Sequence, residues 1–279
     1  MQVKTLSISD ISQLLSLCDA VGWLHNVSSM KEQFETFFSI GTLFGHDNEG
    51  KLISCIAAFP YKTGFTSIGM LIVHPDFQRR GLARSLLDIS IKNASQLQPF
   101  TLIATDAGTP LYHTYGFNTI TSIHRLERNS TATKNNSFST SQVTSQDLNT
   151  LIQLDYIASG AYRPELYSIL LNRAYLALKI EKNDRLEAFA LCIRKGDTLC
   201  VTPLIANNEE NAMHLLLSIC NQWDGVVRID IPHSQTTFRN KLQLYGFQVT
   251  LVSPLMMKNG KHLPGKRDSI FAMMDAALC

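Results

Sequence analysis

Apolar and polar positions recur along this chain with two periods, one suited to strands and one to helices. Residues 2–8 predict an opening strand. Ser9 or Asp10 can cap a helix with Ile11, Leu14, Leu15 and Cys18 on one face. Residues 21–26 break that pattern. A second helix over residues 29–39 turns Met30, Phe34, Phe37 and Phe38 inward. Three strands are predicted over 42–46, 52–60 and 66–73, parted by polar turns at 47–50 and 62–64. Pro75 ends the third, since proline cannot donate to a sheet ladder. The next helix has apolar residues at 83, 87, 91 and 94, with 82 and 86 beside them. A strand over 100–105, a short helix opened by Thr109 or Pro110 and ended by Gly116, and a strand over 117–126 complete this half.

Residues 129–141 are rich in Ser, Thr and Asn and nearly free of large apolar side chains, so 129–140 reads as a linker. Beyond it the pattern predicts a helix over 147–157 and strands over 175–180, 186–194 and 198–201. A helix over 210–223, a strand over 226–231, a helix over 236–245 and strands over 247–256 and 269–274 follow. The second half thus repeats the element order of the first. It also repeats a tripeptide, Tyr115-Gly116-Phe117 and Tyr245-Gly246-Phe247, each closing a helix and opening a strand. The expectation is an α/β fold, with α+β mixed sheets, in two copies.

Composition narrows this reading. Apolar residues make up 45% of the chain and charged residues 17%, the balance of a globular protein. A net charge of +2 gives no bulk argument for nucleic acid or membrane as partner. Cysteines at 18, 55, 192, 200, 220 and 279 form neither a C-x-x-C nor a zinc spacing. They read as free thiols of a cytoplasmic protein. The histidines lack ligand spacing, so no metal is expected.

The chemistry concentrates behind the strand that ends at Val73. Gln78-Arg79-Arg80-Gly81-Leu82-Ala83-Arg84 opens a helix. The first N–H groups of a helix lack intrahelical partners and carry the positive end of its dipole, so they accept an anion. Gly81 permits close backbone approach, and the arginines add charge. Val73-His74-Pro75 followed by Gln78, Gly81 and Ala83 in the order Gln-x-x-Gly-x-Ala resembles the acyl-CoA pyrophosphate loop of the GNAT superfamily of N-acetyltransferases. Leu111-Tyr112-His113-Thr114-Tyr115-Gly116-Phe117 is similar to the family's Leu-Tyr-x-x-x-Gly-Phe segment.

The resemblance implies two tandem GNAT-like domains. Residues 1–128 would be catalytic, with a sheet splayed around acyl-CoA, and residues 141–279 a degenerate copy. Acetyl-CoA would be held by Gln78, Arg79, Arg80, Gly81, Leu82, Ala83 and Arg84, and by the main chain of Leu71, Ile72 and Val73. Tyr112 would occupy the position of the acid that protonates the CoA thiolate, and Tyr115 would be structural. No glutamate occupies residues 66–70, where many relatives place a base. That work would fall to water, to His25 or His74, or to nothing. Trp23, His25 and Phe59 are candidates for the acceptor pocket, with Tyr61 beside them. The expected activity is direct acetyl transfer to the primary amine of a small molecule, by a monomer or homodimer. A non-catalytic acyl-CoA sensor and a protein N-acetyltransferase are the rival readings. The second copy has no Gln-x-x-Gly-x-Ala; residues 202–210 place Pro203 after a strand and Glu209 and Glu210 at a helix start, which predicts one CoA per chain.

Overall fold

The computed structural model describes residues 2–94, 98–131 and 139–279. The first half runs β1 (Gln2–Thr5), α1 (Ile11–Ala20), α2 (Val27–Ile40), β2 (Thr42–Asn48), β3 (Lys51–Pro60), β4 (Thr66–Val73), α3 (Leu82–Asn93), β5 (Phe100–Ile103), α4 (Thr109–Thr114) and β6 (Asn118–Ser130). The second runs β7 (Ser141–Gln142), α5 (Leu148–Ser159), α6 (Pro164–Arg173), β8 (Leu176–Lys182), β9 (Arg185–Lys195), β10 (Thr198–Ala206), α7 (Glu209–Cys220), β11 (Gly225–Pro232), α8 (Thr236–Leu244), β12 (Gln248–Lys258) and β13 (Ile270–Ala272).

Several boundaries move for local reasons. α2 starts at Val27 because the Asn26 side chain accepts from the Ser29 N–H at 3.0 Å, a side-chain cap. α3 buries Leu82, Leu86, Leu87 and Ser90, with Ile91 and Ala94 packed on the same cluster, so its inward face is the predicted one centred on 82, 86 and 87. β10 continues to Ala206 and takes Pro203 into the strand, so Pro203 is no counterpart of Pro75. α6 was not anticipated, although Leu166, Tyr167 and Leu170 bury one face of it. β6 extends to Ser130, two residues into the stretch read as linker, and residues 132–138 of that linker lie outside the described residues.

The sheet order is β1-β2-β3-β4-β5-β12-β6-β11-β10-β9-β8-β7, with β13 paired to β10. The halves exchange their closing strands. β12, from the second half, pairs with β5 through Leu255–Lys258 and Ile103–Phe100. β6, from the first half, pairs with β11 from Gly225↔Ser130 to Pro232↔Ile123. β6 and β12 also pair with each other, so the two halves share one mixed sheet. On one side of it, α1, α2, α5 and α6 bury a common core that includes Leu14, Phe34, Phe37, Phe59, Leu151 and Tyr167. α3 and α4 cover a separate cluster around Leu86, Phe100 and Phe117. α7 and α8 cover another, around Leu216, Trp223 and Phe238.

Residues 273–279, beyond β13, run back onto the first half. Ser67 Oγ donates to the Ala277 carbonyl at 2.7 Å, and Tyr61 Oη to the Leu278 carbonyl at 2.8 Å. Gly69 admits this approach: a Cβ there would lie 2.5 Å from the Ala277 Cβ, too close for any larger residue. Arg163 anchors the same segment. It donates Nε to Asp155 Oδ2 at 2.7 Å, Nη2 to Oδ1 at 2.9 Å, and Nη1 to the Leu278 carbonyl at 3.2 Å. The pair is almost wholly buried, 4% and 1% exposed. Removing one partner of a buried pair leaves an uncompensated charge and costs about 3–5 kcal/mol. Arg163→Met should therefore lower unfolding stability by that order in a urea titration. A loss under about 1 kcal/mol would show that the pair does not hold the tail.

Candidate active site

β4 and β5 are parallel and pair only at Thr66↔Phe100 and Ser67↔Thr101. Past that point they separate, and a cleft of about 420 Å³ opens between Ile68–Val73 on one side and Ile103 and Thr105 on the other. A bulge marks the β4 wall. Cys55 faces Ile72 and Ala57 faces Gly69, so β4 carries one extra residue there, and Met70 takes a positive φ of 54°. A bulge breaks the ladder locally and re-aims the backbone. The Met70 carbonyl is taken by Cys55 Sγ at 3.2 Å.

The loop after β4 closes the lower end. His74 starts a 3-10 turn, Pro75–Phe77, with its Nδ1 accepting from the Asp76 N–H at 3.3 Å. Gln78 Nε2 donates to the Val73 carbonyl at 3.2 Å, folding the loop under the strand. Gly81 precedes α3 at φ 81° and offers no side-chain cap. The Ser85 N–H donates to the Gly81 carbonyl at 3.1 Å, as the first turn of a helix requires. A Cβ on Gly81 would meet nothing within 4 Å, so the space over the helix start is open. Leu71, Val73, Gln78, Arg79, Gly81, Leu82, Ala83 and Arg84 line the cleft. One expected contact is placed elsewhere: Arg80 folds back, donating Nη2 to the Asp76 carbonyl at 2.8 Å and stacking on Phe77. The Ile72 side chain packs into the core on the far side of β4; its expected contact is a main-chain one.

Tyr112, on α4, lines the opposite wall beside Gly108 and Leu111. Its ring meets Phe117 edge-on at 5.9 Å, which sets its direction. Burial pushes its phenol up to about 12, so it keeps its proton at neutral pH. Tyr115 instead ties α4 to α3, donating to the Arg84 carbonyl at 3.0 Å and contacting Asp88 Oδ1 at 2.9 Å.

A second cavity, about 280 Å³, adjoins the first and shares Trp23, Gly69, Met70, Ile103 and Thr105 with it. Both halves build it: His25 and Gln33 from the first, Arg125 on β6, Lys195 on β9, Arg228 on β11 and Asp275 from the tail. Phe59 is absent from both cavities. It is fully buried against Phe37 at 4.9 Å, a core side chain, and Tyr61 is occupied by the tail. The residues that line this wall come from separate strands brought together by the exchange. Burial first, then Lys195, Arg228 and Arg125, holds the His25 imidazole below its usual value. Burial alone would raise the Asp275 carboxyl, but Lys195, the Ala277 N–H and Arg228 bring it below the ordinary carboxylate range.

The second half carries the same frame with different contents. β10 and β11 pair in parallel from Thr198↔Val226 to Val201↔Ile229. Beyond them β13 pairs with β10, and the Met273 N–H donates to the Asp230 carbonyl at 2.8 Å. The chain's own backbone thus fills this splay. The start of α7 is capped by the Asn208 side chain, which accepts from the Asn211 N–H at 2.8 Å, and has Glu209 and Glu210 in its first turn. The two Tyr-Gly-Phe caps match: Phe117 N–H bonds the Tyr112 carbonyl, and Phe247 N–H the Leu242 carbonyl, both at 3.1 Å. Leu242 therefore stands where Tyr112 does, with no hydroxyl.

Two family profiles, both described as an acetyltransferase (GNAT) domain, match residues 19–134 and 151–272. The chain is 28% identical over 272 residues to YitH of Bacillus subtilis strain 168, described as an uncharacterized N-acetyltransferase, across 96% of this chain and 95% of that protein. A Pyrococcus horikoshii crystal structure, provisionally described as an acetyltransferase, superposes with a TM-score of 0.84 at 20% identity, over 100% of this chain and 95% of that one. A tandem GNAT protein from the clavulanic acid biosynthesis pathway superposes with a TM-score of 0.67 at 13% identity, over 92% and 97%. The chain belongs to the GNAT acetyltransferase family. It is an acyltransferase with two GNAT domains in tandem.

The cation cluster can be checked directly. The His25 imidazole should titrate by NMR below about 6.5, the ordinary histidine value. In Lys195→Met its midpoint should move upward, since a repelling charge is removed. An unmoved midpoint would separate His25 from the cluster.

Proposed function

We propose that this protein is an acetyl-CoA-dependent N-acetyltransferase that transfers acetyl directly to the primary amine of a small molecule. The observation that carries the reading is the uncapped start of α3, with open space over Gly81, facing Tyr112 across the splay. The free N–H groups of α3, with Arg79 and Arg84, suit the pyrophosphate of CoA. The bulged main chain at Met70–Val73 would hold the pantetheine and orient the acetyl carbonyl. Tyr112, protonated, would deliver its proton to the sulfur as the thioester bond breaks and the amide bond forms. The amine's own proton would leave through water or His25. No glutamate stands on β4 to take it. A cavity of about 280 Å³ walled by both halves favours a small acceptor over a polypeptide. In this reading residues 1–128 bind CoA and residues 141–279 complete the acceptor wall. Six buried free thiols fit a cytoplasmic setting. No described helix is long and apolar enough to cross a membrane.

Calorimetry should find one acetyl-CoA site per chain. Gly81→Glu should abolish it while the circular-dichroism spectrum is kept, because the side chain sets a negative charge where the pyrophosphate approaches. Two equivalent sites, or unchanged affinity in a folded variant, would overturn the assignment. Tyr112→Phe should lower kcat about 10²–10⁴-fold with little change in acetyl-CoA affinity, the usual range for a lost general acid. In the parent enzyme the phenol stays protonated until about 12, so kcat should not fall as pH rises through about 10, the ordinary tyrosine value. A decline centred there would point to a different proton donor.

A further inference from the structure

The second cavity says something about the acceptor beyond its size, an inference that rests on the acetyl-transfer reading above. Its inner wall is common with the CoA cleft at Gly69, Met70, Ile103 and Thr105, so an amine that meets the thioester must sit at that wall. The other side is electrostatically lopsided. Arg125, Lys195 and Arg228 converge from three strands. Two carboxylates oppose them. Asp230 takes Arg125 Nε at 3.2 Å and Arg228 Nε and Nη2 at 3.1 and 2.5 Å. Asp275 takes Lys195 Nζ at 3.1 Å, Gln33 Nε2 at 2.8 Å and the Ala277 N–H at 3.0 Å. Both carboxylates are thus engaged. Among the described residues, three cations against two anions leave an excess positive charge on a wall that also carries Trp23, Met30, Leu251 and Ala277 and the neutral polar Gln33 and Ser253. A partly buried excess charge is unfavourable until something pairs it.

The geometry points to an acceptor that carries an anionic group, a carboxylate or a phosphate, at the end remote from its amine. The amine would lie at Met70 and the anion against Lys195, Arg125 and Arg228. β6 and β11 lie two and three strand spacings from β5 in the sheet order, about 10 and 14 Å, a span the long basic side chains shorten. That separation suits an amino acid or a short conjugate of one, or an aminoalkyl phosphate. The same positive field disfavours a protonated amine beside it. It would help the incoming ammonium lose its proton, work for which β4 offers no carboxylate. A diamine would bring a second positive charge to the cationic wall and should be rejected.

The test is an acceptor panel with acetyl-CoA. It pairs amino acids with their carboxamides and aminoalkyl phosphates with the matching amino alcohols, and it includes linear diamines. Acid-bearing members should exceed their neutral partners by about 10-fold or more in kcat/KM, mainly through KM, and diamines should be poorest. The carboxylate and phosphate arms tell which anion is read. Lys195→Met and Arg125→Gln should each cut kcat/KM for the preferred acid by about 10–100-fold, narrowing its lead over the neutral partner, and Lys195→Arg should restore much of it. Calorimetry with acetyl-CoA separates the failures. Loss of acetyl-CoA binding by the parent protein would defeat the acetyl-transfer reading itself. Retained acetyl-CoA binding with neutral amines or diamines preferred, or with no member acetylated, would overturn the anionic-acceptor inference alone. Should a variant fail to fold, the ranking of the panel by the parent enzyme decides.

Discussion

Two parallel strands that separate leave backbone N–H and C=O groups facing each other across a gap, and those groups need partners. This protein meets that constraint twice, in different ways. Between β10 and β11 the chain supplies its own strand, β13, and the Met273 N–H closes on the Asp230 carbonyl. Between β4 and β5 no strand enters among the described residues, and the bulge at Met70 turns the main chain toward an open cleft. The start of the following helix repeats the contrast. The Asn208 side chain caps α7, with two glutamates in its first turn, whereas Gly81 leaves α3 without a side-chain cap. One half fills its own splay where the other leaves it open.

The exchange of β6 and β12 joins the halves in one sheet and also builds a wall of the second cavity. β6 carries Arg125 to the side of β11, which carries Arg228, and Asp230 holds both. The tail that follows β13 then crosses onto β4, brings Asp275 to Lys195, and lies against Gly69. The second domain, whose α7 start is capped by Asn208, supplies Lys195, Arg228, Leu251, Ser253 and residues 275–277 to the cavity beside the cleft. The half whose own splay is filled thereby shapes the open one.

The elements were legible wherever a local rule decided them. Apolar runs of strand length between polar turns placed β2, β3 and β4, and the loop motif placed Gly81 at the head of α3. The repeated Tyr-Gly-Phe marked two equivalent helix caps, and Tyr112 was visible because it lies three residues before the first. The predicted elements leave 158–174 unassigned, and α6 forms there on the helical spacing of Leu166, Tyr167 and Leu170, with Pro164 in its first turn. Extent was harder than existence: β10 absorbed Pro203, which sequence rules would put at a strand end.

What the sequence by itself determined was the class of fold, the doubling of the domain, the glycine-led loop at the head of α3 and the lack of that motif in the second half, since each depends on residues close together in the chain. Only the tertiary structure decided which strand borders which. No local pattern distinguishes a β6 that returns to its own half from one that crosses to the other, because both bury the same alternating face. The same holds for side chains whose roles depend on distant partners. Arg80 turned onto Phe77 instead of the cleft, Phe59 sank into the core, and Arg125, Lys195, Arg228 and Asp275, scattered over 151 positions of sequence numbering from 125 to 275, met at one wall. Long-range pairing brought those charges together, and it is non-local by nature.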